Sequence, residues 1–179
     1  MTAVPLPSLI DALHCDRPAP DRADRLGLYG FLVGRWDMDF VSHPDDGTKL
    51  TGSGEIHAGW VLEGRAIQDV WIIPARPARR PDGPPGPNFY GTTLRIYDPG
   101  IDAWHILWSD PVKQYYSRQI GRAHGNDIVQ IGKDDSGAAV RWRFTGITPD
   151  AFHWLGERSP DGGASWQLQI EFFARRAAA

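Results

Sequence analysis

The chain has a single cysteine, Cys15, among 179 residues. No intramolecular disulfide can form, and no His-Asn partner motif surrounds Cys15 to make it a nucleophile. Charge of one sign is also missing as a pattern. Lys+Arg number 19 against Asp+Glu 22, a net charge of −3, with no long run of either sign. That leaves no electrostatic footprint for nucleic acid or for an anionic membrane. The one basic cluster, Arg76, Arg79 and Arg80, falls in a Pro-rich stretch and reads as solvated loop. No apolar run approaches the roughly 18 residues that a membrane helix needs. Met1-Thr2-Ala3-Val4-Pro5-Leu6-Pro7 lacks the basic n-region and apolar core of a signal peptide. A cytoplasmic location is the expectation.

Signatures of several chemistries are missing too. The six histidines are scattered (His14, His43, His57, His105, His124, His153), with no His-x-His or His-Glu-x-x-His, so no metal site is expected. There is no Gly-x-Ser-x-Gly, no phosphate loop and no dinucleotide fingerprint.

What the chain does have is alternation. At 19.9 kDa it fits one domain over 1–179, with a helical segment over 1–33 and a β-rich body over 34–176. Ser8 with Asp11 marks a helix start running to Leu13. Asp21 can cap a second, short helix in which Leu26, Tyr29, Leu32 and Val33 recur near the helical period. From Gly34 the period becomes two: Trp36, Met38 and Phe40 alternate with Arg35, Asp37 and Asp39. Further strands are expected near 49–58, 60–73, 89–97, 103–109, 114–122, 127–132, 138–145, 151–158 and 165–175. Pro and Gly crowd residues 74–88, which must form a long loop, expected to be a mobile flap over a pocket mouth. Short turns separate the other strands and make antiparallel neighbours. The fold class is therefore all-β: a closed antiparallel up-and-down β-barrel of about 8–10 strands, with short N-terminal helices capping one end. An open β-sandwich is the alternative.

Gly34-Arg35-Trp36 directly follows the helical segment, and the last strand ends in Arg175-Arg176. This pair of motifs resembles the calycin barrels, the lipocalins and fatty-acid-binding proteins. There, a Gly-x-Trp begins strand one and an Arg from the last strand lies across that Trp. The resemblance implies a barrel enclosing a small, largely apolar ligand. The chain is also similar to bacterial barrels of unassigned role, so the resemblance carries over no catalytic residue. One haem-binding branch continues as Gly-x-Trp-x-Gly-x-Gly. Here Met38 and Phe40 stand at the two later positions, which argues against haem, and only His105 or His153 would serve as its axial ligand.

Strand faces supply the candidate site. Val140, Trp142 and Phe144 share one face, as do Phe152 and Trp154, Trp104, Ile106 and Trp108, and Trp166, Leu168, Ile170 and Phe172. The expected ligand-binding residues are Met38, Gln68, Trp108, Tyr115, Arg118, Trp142, Phe144, Phe152 and Trp154. Arg118 would be an anchor able to grip a carboxylate or carbonyl. Glu157, Asp69 and Arg118 are the candidates for acid–base work. These features suggest a protein that binds a hydrophobic or aromatic small molecule, with no cofactor required. The alternatives are an enzyme for cyclisation, isomerisation or hydration inside the cavity, a haem barrel, and an interaction module with a filled core. The expected partner is a small molecule, not nucleic acid or membrane; a homodimer stays open.

Overall fold

The computed structural model describes residues 8–80 and 87–178. A two-residue strand β1 (His14–Cys15) adds to the edge of β3. Ten longer strands then follow one another: β2 (Gly34–Ser42), β3 (Leu50–Val61), β4 (Ala66–Ile73), β5 (Phe89–Asp98), β6 (Ala103–Asp110), β7 (Tyr115–His124), β8 (Asp127–Asp134), β9 (Ala139–Thr145), β10 (Ala151–Ser159) and β11 (Gln167–Arg176). Each is antiparallel to the next, and β11 pairs with β2. The sheet therefore closes into a ten-strand up-and-down barrel, the fold class expected from the alternation.

One boundary and one register differ from the expected ones. The β3–β4 reversal lies at 62–65, not near residue 59, and Leu62, Glu63 and Gly64 turn through positive φ there. Glu63 and Arg65 thus belong to a turn and not to a strand. The second difference is a bulge. Gly156 faces Ile170 while Glu157 faces Leu168, so β11 carries one extra residue opposite that step. One extra residue reverses the facing of everything before it. Ile170 and Phe172 keep the inward parity, whereas Trp166 ends outside, with the Arg141 guanidinium 4.5 Å from its ring centroid.

The N-terminal segment plugs one end. Helix α1 (Leu9–Leu13) starts on the expected capping box: the Ser8 hydroxyl accepts from the Asp11 N–H, and the Asp11 carboxylate accepts from the Ser8 N–H. A 3-10 turn (Pro20–Arg22) leads into α2 (Ala23–Leu26) and a second 3-10 stretch (Gly27–Leu32). Asp21 does not cap the helix; its carboxylate accepts from Arg65 at 3.0 Å. Leu26, Tyr29 and Leu32 are fully buried, and Tyr29 and Phe31 meet the barrel wall through edge-on aromatic contacts. Tyr29 lies 4.9 Å from Trp104, and Phe31 lies 5.6 Å from Phe144 and 5.7 Å from Phe152. No helix among the described residues is long and apolar enough to cross a membrane.

The seal is made by Trp36 and Arg176. Register places them opposite one another on β2 and β11, and the guanidinium lies 3.7 Å from the Trp36 ring centroid. Arg176 also donates to the carbonyls of Val33 (2.8 Å), Phe31 (3.0 Å) and Pro149 (2.8 Å), and Trp36 Nε1 donates to the Leu32 carbonyl at 2.8 Å. One side chain thus ties the helical plug, the first strand, the last strand and the β9–β10 turn. Arg175, one residue earlier, points outward and pairs with Asp39.

Truncating Trp36 removes a buried ring and leaves Arg176 over a void. Trp36→Ala is expected to cost about 3–5 kcal/mol, read as a fall in the urea midpoint. A variant that unfolds at the wild-type midpoint would refute the role of this contact.

Candidate ligand-binding site

The opposite end of the barrel is open. There the turns β6–β7 and β8–β9 and the ends of β4 and β10 surround a cavity of about 550 Å³. Alternation places one large aromatic per strand on its wall. Six of them form a girdle linked both along neighbouring strands and across the barrel. Trp71 lies 5.7 Å from Trp154, Trp154 lies 5.5 Å from Trp142, and Trp142 lies 6.1 Å from Trp108. Trp108 lies 6.0 Å from Phe89, Phe89 lies 6.0 Å from Phe172, and Phe172 closes the ring at 5.4 Å from Trp71. The planes meet at 53–87°, the tilted and edge-on geometry that ring quadrupoles favour. All six rings line the cavity.

Two glycines make room for this girdle. A Cβ on Gly91 would stand 2.4 Å from Trp108, and one on Gly156 would stand 2.7 Å from Trp154. The indoles of Trp108 and Trp154 thus lie over backbone that carries no side chain.

Below the girdle the interior is polar. Asp69 on β4 and Arg95 on β5 are both buried and form an ion pair, and Asp69 also accepts from the Thr93 N–H at 3.1 Å. The Arg95 guanidinium lies 5.4 Å from the Tyr29 ring centroid and 5.7 Å from that of Phe144, so it rests on the plugged half. Arg95 and Thr93 line the cavity floor, and Asp69 sits behind them. Ser117, Gln119 and Gln130 are buried at neighbouring inward positions.

The mouth is charged. Asp110, Lys113, Asp134, Asp135 and Arg158 border it. Asp134 accepts from the Ser136 N–H (3.0 Å), the Ser136 hydroxyl (2.6 Å) and the Ala138 N–H (3.0 Å), which shapes the β8–β9 turn. Tyr115 stands inside this rim; burial, then the nearby Asp134 and Asp135, push its phenol well above its usual pKa.

The sequence-derived candidates fall into three groups. Trp108, Tyr115, Trp142 and Trp154 line the cavity. Met38, Phe144 and Phe152 are inward but packed in the plugged half, where Phe152 lies 4.7 Å from Trp36; they do not line the cavity. Gln68 and Arg118 stand on the outer face, because β4 and β7 direct Asp69, Ser117 and Gln119 inward instead. Gln68 donates to the Thr92 hydroxyl at 3.0 Å, and Arg118 is exposed. Arg118 is therefore not the interior anchor that the strand reading proposed.

The acid–base candidates are corrected in the same way. Glu157 borders the mouth, but its register partner is Arg141 on the outer face. Its carboxylate is clasped there by Arg141 (2.7 and 2.9 Å) and Arg143 (2.9 and 3.2 Å). Burial raises its pKa, and the two arginines more than reverse that, leaving it below the usual range. Asp69 is inward, yet Arg95 stands between it and the cavity. None of the six histidines lines the cavity. His105 and His153 face outward onto Asp98 and Glu171, so neither is placed to ligate a haem inside.

Sequence reasoning missed Trp71, Phe89 and Arg95. A signal for Arg95 was present. Asp69 shares its parity with Ile67, Trp71 and Ile73, and an inward carboxylate requires an inward cation. Arg95 is the only cation on β5, which pairs with that strand.

The connection 74–88 leaves and re-enters the sheet at this open end. Its first turn is fixed: Arg76 donates from its backbone and side chain to Glu55 (2.7, 2.8 and 3.1 Å). Arg79 bridges the carbonyls of Ile73 and Phe89 at 2.9 and 3.2 Å. Arg76 and Arg79 are thus bonded to the barrel and not freely solvated. Residues 81–86, the centre of the expected flap, lie outside the described residues.

Similarity to solved structures supports the architecture. The chain is similar to Rv2717c from M. tuberculosis, with a TM-score of 0.61 and 14% identity over 90% of this chain and 99% of that one. It is also similar to the S-type phycobiliprotein lyase CPES from Guillardia theta, with a TM-score of 0.58 and 15% identity over 86% and 92% of the two chains. At such identities the likeness establishes a shared ten-strand barrel fold. Neither a protein-family model nor a curated protein sequence matches the chain.

Two outcomes follow from this geometry. Gly156→Ala is expected to push Trp154 off the wall, changing the near-UV circular dichroism while the far-UV spectrum holds; an unaltered near-UV spectrum would show that Gly156 does not set the ring. The hydrogen bonds from Arg76 are the main cause that lowers the Glu55 carboxyl to about 2, from an unfolded value of 4.5. A depressed acid stabilises the fold fully above pH 4.5, and that contribution is lost as pH falls through about 2. The urea midpoint of Glu55→Gln should accordingly drop less than that of the wild type between pH 5 and pH 2. Parallel curves for the two proteins would contradict it.

Proposed function

We propose that this chain is a calycin-like barrel that binds a flat, largely aromatic small molecule within the open half. The observation that carries the reading is the aromatic girdle. Six rings line an open cavity of about 550 Å³, the size of a typical small-molecule pocket. A rigid planar ligand gains contact area against indole faces and loses little conformational entropy on binding. The shared barrel fold with a phycobiliprotein lyase is in keeping with a small molecule held in the barrel.

Binding is favoured over the enzyme alternative by the state of the two carboxylates that alternation offers for acid–base work. A general acid or base must reach the ligand and be free to exchange a proton. Glu157 is held outside by two arginines, and Asp69 is paired with Arg95 behind the floor. The open cavity also disfavours a filled interaction module.

The test is a titration of polycyclic aromatic compounds followed by intrinsic Trp fluorescence, with native mass spectrometry of freshly expressed protein to find a retained ligand. Trp154→Ala is expected to weaken binding about tenfold, or about 1.4 kcal/mol. Arg118→Ala, on the outer face, should leave affinity unchanged. Absence of quenching at millimolar concentration, or full affinity in Trp154→Ala, would sink the assignment.

A further inference from the structure

Taking the cavity as a binding site for a flat aromatic molecule, we infer that it selects ligands whose ring frame carries a positive charge: aza-aromatic cations and arylalkyl ammonium ions. The observation is Asp110. It ends β6 on the same inward parity as Trp104, Ile106 and Trp108, opposite Tyr115 on β7. It lines the cavity and is only 2% exposed. Its Oδ1 accepts from the backbone N–H groups of Val112 (2.9 Å) and Lys113 (3.2 Å), which shapes the β6–β7 turn. Its Oδ2 accepts no hydrogen bond among the described residues, and it is not sealed off as the unpartnered polar atoms of Trp71, Arg95, Gln119 and Gln130 are.

Charge decides what belongs beside it. Four charged residues are buried among the described ones: Asp69, Arg95, Asp110 and Glu157. Asp69 and Arg95 neutralise each other, and Arg141 and Arg143 hold Glu157. Asp110 forms no ion pair among the described residues, which include every Lys, Arg and His of the chain. The two cations at the mouth turn elsewhere: Arg158 lies 3.7 Å from Asp134, and Lys113 is exposed. A buried carboxylate without a counter-ion is costly, and a cationic ligand supplies one. The wall gives a second, independent reason. Trp108 stands two residues below Asp110, about 7 Å along the strand, and Trp142 and Trp154 follow it around the cavity. Indole faces attract cations through the ring quadrupole, more strongly where water is excluded. A cationic ring among these faces has its charge attracted by carboxylate and indoles together, whereas an anion meets an unmatched negative charge.

The matched probes are N-methylquinolinium, 1-methylnaphthalene and 1-naphthoate: one bicyclic frame with a fixed positive charge, no charge and a negative charge. Equilibrium dialysis against the whole protein is expected to show the cation bound about tenfold tighter than the neutral compound, and the anion bound most weakly. Asp110→Asn keeps an acceptor for the two turn N–H groups and removes the charge. There the ratio of cation to neutral affinity should fall to about threefold, the share left to the indole faces. Asp37→Asn, which removes the same charge from an exposed position on the outer face, should keep the wild-type ratio. The wild-type ranking decides by itself if Asp110→Asn folds poorly. Equal binding of N-methylquinolinium and 1-methylnaphthalene overturns the inference and leaves the aromatic pocket standing. Tightest binding of 1-naphthoate overturns the sign of the charge. An undiminished ratio in Asp110→Asn, or an equal fall in Asp37→Asn, overturns the role of Asp110. If none of the three binds, the pocket reading itself fails and the inference falls with it.

Discussion

The contact on which the rest depends is the Arg176 guanidinium laid over Trp36. A barrel must hold its first strand to its last; beside the β2–β11 ladder, this one side chain also ties in the helical plug. The three carbonyls it serves, from Phe31, Val33 and Pro149, come from loop and cap segments with no sheet partner for those groups. Buried carbonyls without donors would destabilise that end. Because this end is sealed by a charged but fully bonded group, the apolar rings of Tyr29, Phe31, Phe144 and Phe152 can pack behind it as an ordinary core. The other half is then free to stay open.

The interior is divided by chemistry as well as by packing. Ten strands enclose more width than side chains fill without large residues. In the sealed half the cap supplies the missing volume. In the open half the volume is left, bounded by indoles that lie against Gly91 and Gly156. Between the halves lies the Asp69–Arg95 pair, resting on Tyr29 and Phe144. An ion pair buried in a barrel is weak evidence for stability. Its position sets the boundary between the two halves, with Arg95 at the floor of the cavity.

The architecture was legible from the residues because alternation and turns are local signals. Trp36-x-Met38-x-Phe40 and Val140-x-Trp142-x-Phe144 assign their faces without knowledge of any partner, and the capping box at Ser8 is read from four residues. The site was legible only in part. Trp108, Trp142 and Trp154 follow from the same alternation, but which part of a strand lies in the plugged half depends on the cap, so Met38, Phe144 and Phe152 were set in the wrong storey. Arg118 and Glu157 needed the register of β7 and β10 against their neighbours, and a shift of one residue reverses a face. The bulge opposite Gly156, which sends Trp166 outward, leaves no mark in the sequence, since neither Leu168 nor Gln169 is unusual for a strand.

The up-and-down order has a kinetic consequence. Nine of the ten barrel pairings join strands consecutive in the chain and can zip as local hairpins. The tenth, β2 with β11, joins groups as far apart as Asp39 and Arg175, 136 residues. Loop-closure entropy makes such a pairing slow and late. Until it forms, the molecule is a curled sheet with two long exposed margins, each able to pair with the margin of another copy. The time spent in that state, set by how quickly Arg176 finds Trp36, would govern how much of the protein is lost to aggregation during refolding.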